Sequence, residues 1–191
     1  MASAGKLNGG AICGRPQTIV TSKIWPQRDQ FLKTLRKVLA EETFACATYY
    51  PGVDQAIEEF LKYQPTAEVL KPEKGKVKSS NYVFIPNIAE DDFAMTHEAF
   101  GQVFCEIALE TTPETDNFLT KATNFCNHKL LGSLGCMILV DNDTFKSNES
   151  RIQLAIKELN YGGIAVNDIP ANIWLNAYLT WGGCGETTED F

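Results

Sequence analysis

Six cysteines and two histidines are the side chains best suited to nucleophilic or metal chemistry in this 191-residue chain. Cys13 stands apart from the other thiols. It closes the stretch LNGGAIC, with Gly9, Gly10 and Gly14 around it and the β-branched run QTIVTS (17–22) just after. Glycines let a backbone approach a bound molecule closely. A thiolate presented from such a loop is a strong nucleophile and a good leaving group, in a fraction set by its local pKa. The residues alone leave a second reading open, a small apolar side chain in a turn. Most of Cys46, Cys105, Cys126, Cys136 and Cys184 lie in apolar segments, where a free thiol packs as a small hydrophobe. The spacings are irregular and contain no CxxC pair, and His97 and His128 are the only histidines. Neither a disulfide framework nor a metal site is expected. Either histidine could pair with Cys13 in a cysteine hydrolase, His97 with Glu98 beside it to orient the ring.

The elements that must hold such a loop can be read from periodicity. QTIVTS reads as a strand, as do YVFIP (82–86), QVFCEIAL (102–109) and IAVN (164–167). Phe31, Leu32, Leu35, Val38 and Leu39 fall at helical spacing after Trp25-Pro26, and Val53, Ala56, Ile57, Phe60 and Leu61 do so after the turn TYYPG. Thr112-Pro113 starts a helix carrying Phe118, Leu119, Ala122, Phe125 and Cys126, and Ile152, Ala155, Ile156 and Leu159 mark another over 148–159. LGCMILVD (134–141) is almost wholly apolar, the pattern of a strand covered on both faces. Residues 62–81, with Lys62, Lys71, Lys74, Lys76 and Lys78 and two prolines, read as a solvated connection. Alternating strands and helices give an α/β domain: three layers around a largely parallel central sheet.

Composition narrows the function classes. Hydrophobic residues at 44% and charged residues at 21% suit an ordinary globular domain, and the length suits one core. Seventeen basic against 24 acidic residues give a net charge of −7, which argues against nucleic acid as a partner. The start MASAGKLNGG lacks the apolar core of a signal peptide, and the longest apolar run, CMILV, is too short to span a bilayer. A cytoplasmic protein with no membrane partner is the expectation.

Three stretches, taken in order, resemble the aldehyde dehydrogenase superfamily. NGGAIC before a strand and a long helix resembles the loop presenting its catalytic cysteine. HEAFGQVF (97–104) resembles its Glu-x-Phe-Gly-Pro-Val motif, with Gln102 in place of proline. AIKELNYGGIAVN (155–167) followed by WGG (181–183) resembles its helix, Gly-x-x-x-Val-Asn strand and aromatic-Gly-Gly loop. The order and spacings match the catalytic domain over nearly the whole chain. The divergent spellings mark an outlying subgroup.

The resemblance implies an oxidoreductase using NAD or NADP. Cys13 would attack an aldehyde, forming a thiohemiacetal and then a thioester, with the Cys13 N–H donating to the oxyanion. Glu98 would accept hydrogen bonds from the nicotinamide ribose hydroxyls, Phe100 would pack against that ribose, and Asn167 and Trp181 would face the substrate. The residues themselves leave blander roles open: Glu98 as a loop glutamate, Phe100 as core, Asn167 as a turn cap, and Trp181, with Trp174 and Tyr178, as core or interface. The family's nucleotide-binding domain, with the glutamate that activates water and an oxyanion-binding asparagine, precedes its cysteine, and neither residue maps onto this chain. The expectation is therefore a flexible leader (1–6) and a catalytic domain (7–191) that is a fragment of a two-domain fold. Its partners would be the missing domain, a small aldehyde and further copies of itself. Alone it would be inactive. A non-catalytic remnant acting by binding or assembly is the other reading.

Overall fold

A computed structural model describes residues 2–42, 47–48, 50–72 and 81–185. The chain runs α1 (Ala2–Lys6), β1 (Thr18–Ser22), α2 (Arg28–Lys37), α3 (Val53–Tyr63), β2 (Glu68–Leu70), β3 (Tyr82–Ile85), β4 (Val103–Leu109), α4 (Thr115–Lys129), β5 (Gly135–Ile138), α5 (Asn142–Ser147), α6 (Glu149–Glu158), β6 (Gly163–Val166) and α7 (Ala171–Trp174). A sheet in the order β1-β4-β3-β2 forms the body. β4 pairs in parallel with β1 (Val20 opposite Ile107) and with β3 (Phe84 opposite Phe104), and the short edge strand β2 is antiparallel.

Strand alternation sorts β4 onto two cores. Val103, Cys105, Ile107 and Leu109 pack with Phe60 of α3 and Phe125 of α4. Phe104, on the opposite face, packs with Tyr82, Phe84 and the α2 leucines Leu32 and Leu35. Helices therefore cover both faces of a mostly parallel sheet, the expected three layers. Glu106 shares the α2 face of β4 and is fully buried. Arg28, at the start of α2, meets it with Nε 2.9 Å from Oε1 and Nη2 2.7 Å from Oε2. Thr21 Oγ1 and the Asn87 N–H also donate to this carboxylate, at 2.5 and 3.1 Å.

Three elements depart from the sequence reading. Residues 2–6, expected as a leader, form α1, and Gly5 lies against the Phe104 ring. Within the expected connection 62–81, α3 runs on to Tyr63 and Glu68–Leu70 pair with β3; Lys74, Lys76 and Lys78 lie outside the described residues. β5 is only half-buried, because it pairs with β6 alone in a separate two-stranded ladder. No described helix is long and apolar enough to cross a membrane.

Candidate functional site

Two of the recognised stretches sit at the amino-terminal ends of β1 and β4, side by side because those strands are parallel neighbours. The loop ahead of β1 carries Cys13, whose side chain is exposed. Left-handed backbone shapes this loop at Gly10 (φ 84°) and Gly14 (φ 73°), conformations that disfavour a side chain. Space forbids one as well. A Cβ on Gly10 would lie 2.6 Å from the Gly101 carbonyl carbon, and one on Gly14 would lie 2.8 Å from the Trp181 ring. The β5–β6 ladder closes the third side: a Cβ on Gly135 would sit 3.5 Å from the Gly14 Cα, and one on Gly163 2.9 Å from Trp181. The Cys13 loop thus touches the Glu98–Gln102 stretch on one side and the ladder with its Trp181 loop on the other.

Glu98 is exposed on the segment leading into β4. Phe100 is held at φ 44°, unusual for a bulky residue, and packs edge-on against Tyr50 with centroids 5.2 Å apart. Arg15, buried beneath the loop, donates to the Val103 carbonyl and lies over the Phe104 ring. Burial lowers its guanidinium to about 10, opposed by the nearby Cys105 and by the negative charge of Glu98. Gln17 bridges the two stretches: its Nε2 donates to the His97 carbonyl at 2.8 Å and its Oε1 accepts from the Ala99 N–H at 2.9 Å. Sequence reasoning singled out neither Arg15 nor Gln17. A polar residue just before a strand gives no pattern signal, and their partners on the β4 side lie 80 to 88 positions away.

Asn167 is not part of this cluster. It ends β6 at φ 55°, and its side-chain amide spans the Val140 backbone, accepting from the N–H at 2.9 Å and donating to the carbonyl at 2.8 Å. Four residues of strand, roughly 13 Å, separate it from Gly163 at the Trp181 end. This is the turn-cap geometry. Trp174 and Tyr178 are exposed, so neither is core.

Cys46 lies outside the described residues, and the other thiols divide sharply. Burial pushes Cys105 and Cys126 up to about 12 and Cys136 to about 11, whereas Cys13 and Cys184 are exposed. Among the described residues neither histidine hydrogen-bonds to Cys13. The His97 ring stacks on Phe93 (centroids 3.7 Å apart), with Nδ1 3.0 Å from the Phe93 carbonyl oxygen and 3.1 Å from Thr96 Oγ1. No group of three or more metal-ligating side chains occurs among the described residues.

By sequence, no family model and no curated protein matches. The three-dimensional comparison is decisive for the fold. Betaine aldehyde dehydrogenase from Staphylococcus aureus superposes with a TM-score of 0.71 at 18% identity, over 95% of this chain and 36% of its own. Salicylaldehyde dehydrogenase from Pseudomonas putida G7 gives 0.70 at 14% identity, over 95% and 37%. The NADP-dependent glyceraldehyde-3-phosphate dehydrogenase of Bacillus halodurans C-125 gives 0.68 at 14% identity, over 88% and 34%. The chain has the aldehyde dehydrogenase catalytic-domain fold. It spans about a third of the length of these dehydrogenases. Within that aldehyde dehydrogenase fold, the Cys13 loop, the Glu98 segment and the Trp181 loop come together.

Proposed function

We propose that this chain is the catalytic domain of an NAD(P)-dependent aldehyde dehydrogenase, with Cys13 as nucleophile. The observation that carries this reading is the packing of the Cys13 loop between Gly101 and Trp181, which joins three stretches far apart in sequence. The Cys13 sulfur adds to an aldehyde carbon to give a thiohemiacetal, and the backbone N–H of Cys13 donates to the oxygen on which charge develops. Trp181, packed on Gly14, walls the aldehyde on one side. With NAD(P) bound to take the hydride from that carbon, a thioester would remain on Cys13, and water or another acceptor would cleave it to release the acyl group and the free thiol.

NAD or NADP would supply the two-electron acceptor. The residues fit one edge of it: an exposed carboxylate, Glu98, follows a segment pinned by Gln17 and stands two residues from the half-buried Phe100. Glu98 would take the ribose hydroxyls and Phe100 would pack on the sugar. A single edge does not hold a dinucleotide in a reactive pose, so a nucleotide-binding domain belongs to the proposal, and these 191 residues by themselves are inactive as a dehydrogenase. A homo-oligomer in the cytoplasm completes the reading. The exposed Trp174, Leu175, Tyr178 and Leu179 support contact with that domain or with a second copy.

An activated aryl ester tests the nucleophile without any cofactor. The chain should release about one equivalent of phenol and hold the acyl group on Cys13, and Cys13→Ala should abolish this. Sustained turnover would instead favour the cysteine–histidine hydrolase. No acylation at Cys13 would favour a non-catalytic remnant.

A further inference from the structure

We infer that Gln17 is a positioning residue that sets Glu98 relative to Cys13, making the nucleophile loop and the cofactor edge one unit. The role of Glu98 rests on the proposed function; the clamp itself rests on geometry. Gln17 is four residues beyond Cys13, and its backbone is fixed because its carbonyl accepts from the Cys105 N–H of β4 at 2.8 Å. Its side-chain amide then brackets Glu98, taking the carbonyl before it (His97, 2.8 Å) and the N–H after it (Ala99, 2.9 Å). With both flanking peptides held, the backbone of Glu98 is restrained although its side chain projects into solvent. The two contacts also fix the amide's orientation, since only Oε1 accepts and only Nε2 donates. Arg15 reinforces the oxygen end, with Nη1 3.4 Å from Gln17 Oε1.

The clamp is not needed to hold the sheet. β4 is anchored independently, through the Val83 N–H to the Gln102 carbonyl at 2.8 Å and through its pairing with β1. What the amide adds is order in an exposed stretch, Thr96–Glu98, that has no ladder partner. Pre-set geometry of this kind removes the ordering cost from ligand binding.

The test compares the parent chain with Gln17→Met, Gln17→Glu and Glu98→Gln. Three readouts are taken: the urea midpoint, amide exchange at Ala99, and shifts induced by millimolar nicotinamide mononucleotide, which carries the nicotinamide ribose and its 5′-phosphate without the adenosine half. Gln17→Met, of similar size but without either hydrogen bond, should speed Ala99 exchange about tenfold at a near-parental midpoint. It should also weaken the mononucleotide shifts as Glu98→Gln does. Gln17→Glu keeps the acceptor for the Ala99 N–H and should restore slow exchange. Unchanged Ala99 exchange in Gln17→Met overturns the inference, and so does faster exchange with undiminished mononucleotide shifts. Parent shifts that ignore Glu98→Gln would refute the ribose role of Glu98 and leave exchange to decide the clamp.

Discussion

Strands β4 and β5 have similar lengths of apolar sequence around them and opposite fates. VFCEIAL contains a glutamate, yet Val103, Phe104, Cys105 and Glu106 are fully shielded. GCMI is wholly apolar or small, yet every residue of β5 is half-exposed. The difference lies in neighbours. β4 has β1 and β3 on its two edges and helices on both faces, while β5 has β6 alone. A charged residue in a central strand is tolerated because Arg28, Thr21 and the Asn87 N–H neutralise and saturate its carboxylate. The contrast also separates the body that stabilises the fold from the ladder that packs against the Cys13 loop.

The largest effect should come from the buried pair. Glu106→Gln keeps the shape of the side chain and leaves the Arg28 guanidinium short of a counter-charge, at a cost of about 3–5 kcal/mol. Urea unfolding measures it, and a loss below 1 kcal/mol would show that the pair is not the keystone of β4. Phe104→Ala should cost a similar ~3–5 kcal/mol by opening a cavity under α1 and α2. Met137→Ala in the half-exposed β5 should cost less than half as much. Equal losses would erase the distinction between the two strands.

A smaller effect is set by alkali. The thiols of Cys105, Cys126 and Cys136 ionise in the folded chain only near 11–12, against 9.0 for a free thiol, because burial disfavours the thiolate. Above pH 9 the unfolded chain releases protons that the folded chain retains, so the stability contributed by the neutral thiols is full below pH 9 and falls as pH rises toward 11–12. Urea midpoints should decline over that window, and Cys136→Ala should make the decline shallower. A midpoint flat from pH 8 to 10.5 would contradict the burial of these thiols. Trp174→Ser, on the exposed α7, should change stability by no more than about 0.5 kcal/mol.

The sequence made the architecture legible wherever periodicity was strong. β1, β3, β4, α2, α3 and α4 lie within a few residues of where their apolar spacing put them, since half-buried elements write their buried face into the sequence. It overstated the burial of LGCMILVD, read as a strand covered on both faces, because an apolar run reports hydrophobicity and not the number of neighbours a strand will find. It missed β2, a three-residue edge in a lysine-rich stretch whose pairing is made by the backbone. At the site, Gly10 and Gly14 were legible as a loosened loop, and the structure supplies the reason, the close approach of Gly101 and Trp181. The end of β6 was read as a place for a substrate contact at Asn167, whereas the cluster lies at the opposite end of the strands. Arg15 and Gln17 were silent because their roles depend on partners distant in sequence.

The most direct test of Cys13 as the nucleophile is brief iodoacetamide labelling of the 191-residue chain, read by peptide mass spectrometry, with and without a millimolar aldehyde. Cys13 should react ahead of Cys105, Cys126 and Cys136, whose buried thiols stay protonated. The aldehyde should slow labelling at Cys13 by reversible addition and leave Cys184, the other exposed thiol among the described residues, unchanged. Labelling that begins elsewhere while Cys13 stays protected, or a Cys13 rate that ignores the aldehyde, would contradict the account.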